Sequence, residues 1–361
     1  MKIGILTFHR AINAGAVLQA YALQETLCSL GYDARIVDYN PSYVTNAYLP
    51  IRSLNILHPM GCFYEILSSY SRKKRIKKYL EFSNRYLKIF PLKQVKSLDA
   101  VVLGSDQIWN PHITGGSFDK VFFNASSDIK IPRAIAYAAS TMSTGRLTEK
   151  DISELGQYLP GLTAIGVREK GLGDFINTNY DVKSTLVLDP TLIAPKDLFQ
   201  KMALSSTPFV KEDYLLFYEV WHNSSVEKKA RQLANMKGLK FIGLSGADIR
   251  MPSKGVRQVY SPLEFVSLIA NASHIVTSSF HGTAFSLIFE KQFNVVCEEP
   301  HQAVRMQELL SIIGRNDLLS YKLNDSSDIP IDYTIVNAIL ENHRHQSISF
   351  LHENINRHPG I

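Results

Sequence analysis

Short apolar runs recur along this chain, and nearly every one gives way to turn residues and then to a pattern with apolar side chains three and four apart. KIGILTF, ARIVDY, DAVVLG, AIAYAA, TAIGV and TLVLD fall in the first 190 residues; YLLFYEV, LKFIGLS, HIVTS and FNVVCEE follow. Such alternation restricts the fold class sharply. Parallel strands need a crossover between them, and a helix is the crossover that covers the sheet, so the pattern predicts doubly wound, mostly parallel α/β sheets. The first helical stretch carries Ala16, Ala20, Leu23, Leu27 and Leu30, with Gly31 where a left-handed cap belongs. A single core stops growing near about 250 to 300 residues, and 361 residues exceed that. A polar stretch from Ala194 to Asp213, with Pro195 and Pro208, is the natural joint.

The expected organisation is an α/β domain over 1–190, a second over 191–332 and a C-terminal helix within 333–361. That helix groups Val336, Leu340, His343, Ser347 and Leu351 on one side. This face is too mixed to stand alone, so the helix should dock back on the first domain. Alternation lapses over about 42–92, a helical, basic insertion expected to decorate the first domain. Its run SRKKRIKK, Ser71 to Lys78, reads first as a solvated helix face and second as a surface for anionic lipid or an anionic acceptor.

Composition removes several function classes. With 45% hydrophobic and 20% charged residues the chain is an ordinary globular one. No apolar run approaches a membrane span, and MKIGILTFHR breaks at His9 and Arg10 before a signal core forms, so a cytoplasmic protein is expected. Cys28, Cys62 and Cys297 stand far apart with no CxxC, which encodes neither a disulfide framework nor zinc. The net charge of +6 suits anionic ligands without requiring nucleic acid. There is no P-loop lysine motif, HExxH, GxSxG, complete GxGxxG or DxD, which disfavours kinases and zinc or serine hydrolases and predicts no bound metal.

Ligands of doubly wound sheets sit beyond the carboxyl ends of the strands, where loops enter helices. Four such loops stand out. HIVTSSFHGTAF places Ser278, Ser279, His281 and Gly282 in a turn before a helix expected to begin at Thr283, where free N–H groups and the helix dipole attract an anion. The alternative is a histidine bonded to a carbonyl. In TAIGVREKGLG, Arg168 follows the strand directly; it either clamps a carboxylate or phosphate with two parallel bonds or pairs with Glu169 or Asp174. DAVVLGSDQIWNP crowds Ser105, Asp106, Gln107, Trp109 and Asn110 together, which suits a sugar ring stacked on an indole. It equally suits a helix start capped by Asp106 with Trp109 buried. Asn13 and Gly15, in FHRAINAGAV, either line the cleft or form a helix-entry turn.

NAGAVLQAYALQETL, VDYNP, GSDQIWNP, AYAAS, GVREK, LDPTLI and SSFHGTAFSLIF, in that order, resemble the polysaccharide pyruvyl transferase family across nearly the whole chain. GSDQIWN and SFHGT are the specific parts. The resemblance implies two Rossmann-like domains in a GT-B-like arrangement, an acceptor side in the first and a donor side in the second. It implies transfer of the enolpyruvyl group of phosphoenolpyruvate, a substrate and not a cofactor, to two hydroxyls of a saccharide. The products are a cyclic ketal and phosphate; the acceptor would be a surface-glycan precursor on a lipid or nucleotide carrier, reached at the inner face of the membrane. His281 matches the family histidine, as acid or phosphate ligand, and Arg168 the arginine of the other clamp motif; Asp106, on our own inference, orients the acceptor or acts as base.

Family members often read Arg-Leu-His where this chain reads Ser279-Phe280-His281. Arg250, Arg257 or Arg305 would then supply the missing cation, unless the donor differs. The alternatives are a metal-independent glycosyltransferase of the same architecture using a nucleotide sugar, and a catalytically silent glycan-binding relative. The leading reading expects Arg168 and His281 to face one interdomain cleft, with the GSDQIWN loop on the opposing rim.

Overall fold

The computed structural model describes residues 1–49, 59–127, 129–141, 143–206, 210–247, 252–321 and 329–357. The first sheet contains β1 (Lys2–Leu6), β2 (Asp33–Val37), β3 (Ile89–Phe90), β4 (Ala100–Leu103), β5 (Ala134–Ala139), β6 (Ala164–Val167) and β7 (Ser184–Leu186). Its helices are α1 (Ala14–Ser29), α2 (Ser42–Ala47), α3 (Pro59–Tyr86), α4 (Glu149–Tyr158) and α5 (Lys170–Asn179), followed by α6 (Pro190–Ile193) and α7 (Leu198–Leu204). The second sheet contains β8 (Tyr214–Glu219), β9 (Lys240–Ser245), β10 (Val256–Arg257), β11 (His274–Thr277), β12 (Phe293–Val296) and β13 (Leu319–Ser320). Around it run α8 (Ser224–Met236), α9 (Pro262–Asn271), α10 (Phe280–Ile288) and α11 (Pro300–Ile312), and α12 (Tyr333–Asn356) closes the chain.

The named strand pairs are all parallel. The orders are β3-β2-β1-β4-β5-β6-β7 and β10-β9-β8-β11-β12-β13. Each order reverses once, between β1 and β4 and between β8 and β11, and such a switch point opens a crevice at the carboxyl ends of its strands. Because helices cover both faces, the strands read as continuous apolar runs and not as alternation: β4, β5, β8, β11 and β12 are buried along their whole length.

Helix α1 is buried on nearly every side. Ala20, Leu23 and Leu27 pack with Ile3, Ile5 and Val102 of the first sheet. Ala14, Val17 and Leu18 pack with Tyr218, Phe265 and Phe285 of the second domain. A helix apolar all round needs two partners, and α1 obtains them by lying between the domains.

Two expectations about the flanks change. The insertion does not merely decorate the first domain: Tyr79 and Phe82 of α3 enter the core of the second, and Lys78 pairs with Glu264 of α9 at 2.7 Å. Nor is its basic run a uniformly solvated face. Arg72 and Arg75 are buried, whereas Lys73, Lys74 and Lys77 are exposed. A long basic side chain can bury its stem and satisfy its head group at an interface, which local charge count does not reveal. Helix α12 begins on the second domain with Val336 and ends on the first, where Phe350, Leu351 and Ile355 join Ile3, Val102 and Tyr137. Among the described residues no helix is long and apolar enough to cross a membrane. Cys28 and Cys297 are free thiols; the side chain of Cys62 lies outside the described set.

Candidate active site at the interdomain groove

The two switch points face each other, and two helix N-termini meet there. Asn13 caps α1, its Oδ1 accepting from the Ala16 amide at 3.3 Å. Ser279 caps α10, its Oγ accepting from the Gly282 amide at 3.5 Å. Helix α10 therefore starts at Phe280, three residues before the expected Thr283, because the serine hydroxyl takes an orphan amide and fixes the first turn. His281 lies in that first turn against the first turn of α1. A Cβ on Gly15 would stand 2.1 Å from His281 Nδ1 and 2.3 Å from its Cγ. Only hydrogen fits there.

Behind His281 lies a buried charge cluster that crosses the domain boundary. Asp189 caps the short α6 turn, its Oδ1 accepting from the Thr191 amide at 3.0 Å and hydroxyl at 2.8 Å. Its Oδ2 accepts from Ser105 Oγ at 2.9 Å and Arg168 Nη1 at 3.2 Å. His281 Nε2 approaches the same oxygen at 3.8 Å, just outside hydrogen-bond range, and has no other partner. Burial works against the Asp189 charge, yet His281, Arg168 and the Thr191 donors hold its carboxyl below the ordinary range. Burial lowers the His281 pKa; Asp189 and Asp106 oppose the shift and Arg168 and Arg305 reinforce it. The imidazole is thus neutral at pH 7, with a carboxylate placed to stabilise the imidazolium once a proton arrives.

Arg168 is not the open clamp expected of it. Its Nε donates to Glu169 at 2.8 Å, Nη1 to Asp189 and Nη2 to Ser140 Oγ at 2.8 Å. The guanidinium lies 4.2 Å from the ring centroid of Phe280, across the interface. It is buried with two carboxylates. Glu169, one of the pair partners weighed from the sequence, is present; Asp174 instead binds Lys170.

Arg305, on α11, is a cation beside this cluster. It is half-buried and, among the described residues, has no hydrogen bond or ion pair, although Arg168, Glu169 and Asp106 all act on its charge. One turn further on, Glu308 accepts from the amides of Lys170 and Gly171 at the start of α5. That contact binds the second domain's α11 to the helix that follows Arg168 and brings Arg305 to the cluster. Of the other arginines considered, Arg250 lies outside the described residues, and Arg257 sits on the edge strand β10.

The GSDQIWN segment contributes one side chain to the groove. Asp106 takes a left-handed backbone, φ 76°, which aspartate tolerates better than most residues. Its carboxylate acts on His281, Arg168 and Arg305 and, among the described residues, accepts no hydrogen bond. No helix starts there, so it is not a cap. Trp109 is 1% exposed, donates from Nε1 to the Phe122 carbonyl at 3.0 Å and stacks on Phe123; it cannot carry a sugar. Gln107 and Asn110 are buried, and Asn110 Oδ1 takes the His112 amide. Ser105 serves Asp189.

Around His281 the placement is equally selective. Ser278 is half-buried, its amide donating to the Tyr218 carbonyl. Ser279 is spent on the cap. Thr283 is fully buried, its hydroxyl donating to the Ser279 carbonyl. Gly282 does not open the backbone to an anion: a Cβ there would stand 2.1 Å from Thr277 Oγ1 and 3.0 Å from Tyr218, so it is a packing glycine. Sequence reasoning gave no role to Asp189, Ser140 or Glu308. Only Asp189 carried a local signal, an Asp-Pro-Thr that reads as a capped helix start.

A family model described as polysaccharide pyruvyl transferase matches residues 13–296. No curated protein matches. Among solved structures, UDP-GlcNAc 2-epimerase of Methanocaldococcus jannaschii, in complex with UDP-GlcNAc and UDP, is similar at TM-score 0.51 and 14% identity, over 98% of this chain and 99% of that one. UDP-GlcNAc 2-epimerase of Neisseria meningitidis gives 0.48 and 10%, over 98% and 99%. ADP-heptose lps heptosyltransferase II of E. coli gives 0.42 and 12%, over 96% and 99%. At such identities the likeness is one of fold, and the two-domain arrangement is of the GT-B type.

Proposed function

The chain belongs to the polysaccharide pyruvyl transferase family, and from that premise we propose that it transfers the enolpyruvyl group of phosphoenolpyruvate to two hydroxyls of a saccharide. The carrying observation is the meeting of two helix N-termini at a neutral histidine backed by a buried carboxylate, beside an arginine with no ion pair among the described residues. The donor is an anion at phosphate and carboxylate, and Arg305 with the ends of α1 and α10 favours such charge. Arg168 is already neutralised by Glu169 and Asp189, so its part is to hold Asp189 and Phe280 in place.

The reaction then needs one proton on the methylene carbon of the donor and one removed from the attacking hydroxyl. His281 gains its proton as the dianionic donor enters, Asp189 stabilises the imidazolium, and His281 delivers the proton to carbon. Asp106 accepts the proton of the first hydroxyl as its oxygen bonds to the central carbon. Phosphate departs with the C–O bonding pair, the second hydroxyl closes the ketal, and its proton leaves with phosphate. Two hydroxyl protons are thus matched by one C–H bond and one proton on phosphate. The acceptor is a saccharide on a nucleotide or lipid carrier, and the exposed Lys73, Lys74 and Lys77 of α3 suit peripheral contact with an anionic membrane from the cytoplasmic side.

The experiment is phosphate release from phosphoenolpyruvate with a panel of glycan precursors, beside nucleotide sugars as donors. Release that depends on both phosphoenolpyruvate and a saccharide supports the reading. Turnover only with a nucleotide sugar transfers the assignment to glycosyl transfer.

A further inference from the structure

The chain has two tryptophans, and Trp109, the one read as a sugar platform, is buried. The other, Trp221, is 82% exposed on the loop from β8 to α8, and the reaction above does not use it. That loop is braced. Glu219, the last residue of β8, is fully buried. One of its carboxyl oxygens lies 2.9 Å from His222 Nδ1, and the other accepts from the Asn223 amide at 2.9 Å. Its carbonyl accepts from the Gly246 amide, beyond β9, at 2.9 Å. A buried carboxylate needs such partners, and here they pin both ends of the segment that displays the indole. His222 extends the display: with Nδ1 held by Glu219, the ring plane is set and Nε2 is the nitrogen left for a ligand. Among the described residues Nε2 has no hydrogen bond, and the side chain is 35% exposed.

The topology places this loop on one wall of the second sheet's crevice. The Ser278 amide donates to the Tyr218 carbonyl at 3.3 Å, so the exits of β8 and β11 begin side by side. From there the chain parts. Val226 and Ala230 of α8 pack with Leu215 and Phe217 on one face of the sheet. Ala284 and Phe285 of α10 pack with Leu216 and Tyr218 on the other. The switch-point crevice opens between the two exits, with Trp221 and His222 on the α8 side and His281 on the α10 side. Two carboxylates flank the indole's loop: Glu219 beneath it, and Glu298, which bonds the side chains of Asn223 and Ser225. Such surroundings favour a neutral ligand over a phosphate, and their polarity does not suit an apolar protein or lipid surface. A sugar ring fits, since it offers C–H bonds to an aromatic face and hydroxyls to a fixed polar group.

We propose that Trp221 and His222 form a subsite for a sugar ring of the acceptor other than the ring that reacts. The indole stacks on the apolar face of that ring, and His222 Nε2 bonds one of its hydroxyls. The reacting ring sits by Asp106 and His281, on the α10 side; a ring on Trp221 lies across the crevice from it. The acceptor is then an oligosaccharide, and the second domain takes part in selecting it. Calling this saccharide the acceptor rests on the pyruvyl-transfer reading; the sugar subsite itself does not.

The test applies the labelled full chain, without phosphoenolpyruvate, to a microarray of bacterial surface glycans and their single-sugar fragments. Wild type should bind oligosaccharides and not the single sugars. Trp221→Ala, at an exposed position that leaves the core untouched, should weaken the best-bound glycan about tenfold, and His222→Ala about threefold to tenfold. Trp221→Phe, which keeps an aromatic plane, should retain most of the affinity. In turnover with that glycan, Trp221→Ala should raise the KM for the glycan by about the same factor and leave kcat and the KM for phosphoenolpyruvate within about twofold. A loss of fold would not give that split. Wild type that binds no glycan, or binding unchanged in both alanine variants, overturns the proposal. Single sugars bound through Trp221 as tightly as oligosaccharides overturn the separate subsite. Glycan binding that depends on Trp221, with no phosphate released from phosphoenolpyruvate, removes the donor reading and leaves the subsite standing. Phosphate release that needs a saccharide and ignores Trp221 does the reverse.

Discussion

Gly15→Ala is the sharpest test of the groove, because the substitution helps the helix and harms the site. Gly15 lies in the first turn of α1, outside the set of positive-φ residues, and alanine is preferred to glycine in a helix by up to about 1 kcal/mol. The new methyl would stand 2.1 Å from His281 Nδ1, 2.3 Å from Cγ and 2.8 Å from Cε1. Non-bonded atoms need about 3.5 Å, so ring and methyl must part by about 1.2 to 1.4 Å. The ring has little room to retreat, with Asp189 at 3.8 Å and Phe280 edge-on at 5.3 Å between centroids. Overpacking of this kind costs about 1 to 3 kcal/mol, which the helix gain partly offsets, and the net loss of stability should be about 2 kcal/mol or less. A displacement of about 1 Å at a reacting group costs about 100-fold in rate. The expected result is kcat lowered by about that factor with a thermal midpoint only slightly reduced, read by phosphate release and by calorimetric melting. Gly282→Ala is the control: its methyl would meet Thr277 in a core, so it should lower the melting temperature strongly. Gly15→Ala protein turning over within about threefold of wild type would show that the contact between α1 and His281 is irrelevant to the chemistry.

Three further outcomes follow from the charge cluster. Arg168→Met leaves Asp189 and Glu169 without their shared cation and should cost about 3 to 5 kcal/mol of stability, seen as an earlier urea midpoint, whereas a clamp role would show as a raised KM in a protein of normal stability. Arg305→Gln removes a cation that has no hydrogen bond or ion pair among the described residues, so melting should be unchanged while the KM for phosphoenolpyruvate rises about tenfold or more; unchanged KM would remove Arg305 from the donor site. His281 is buried neutral, its pKa pushed below the usual value of about 6.5. The unfolded chain therefore takes up the proton first as pH falls: the stability that depends on neutral His281 is full above about pH 6.5 and is lost as pH drops from there toward the folded-state value. Wild type should lose more melting temperature than His281→Gln between pH 7.5 and 5.5, and parallel curves would refute a neutral buried ring.

The strand pattern, the two sheets and the docking C-terminal helix were legible in the sequence because burial on both faces writes an unbroken apolar run, which local reading detects. So was His281 near a helix start after a strand. Only tertiary structure could decide that Trp109 turns inward, that Arg168 is enclosed by Asp189 and Glu169, and that Arg305 reaches the cluster with no hydrogen bond or ion pair among the described residues. Asp189 and Arg168 are separated by 21 residues in the chain, and Gly15 and His281 belong to different domains. Their encounters are set by how α1, α6 and α11 cross the groove. Local periodicity determines which face of an element is buried; which charges meet once buried depends on the packing of distant elements, because desolvation and ion pairing act between atoms a few ångströms apart in space at any separation along the chain.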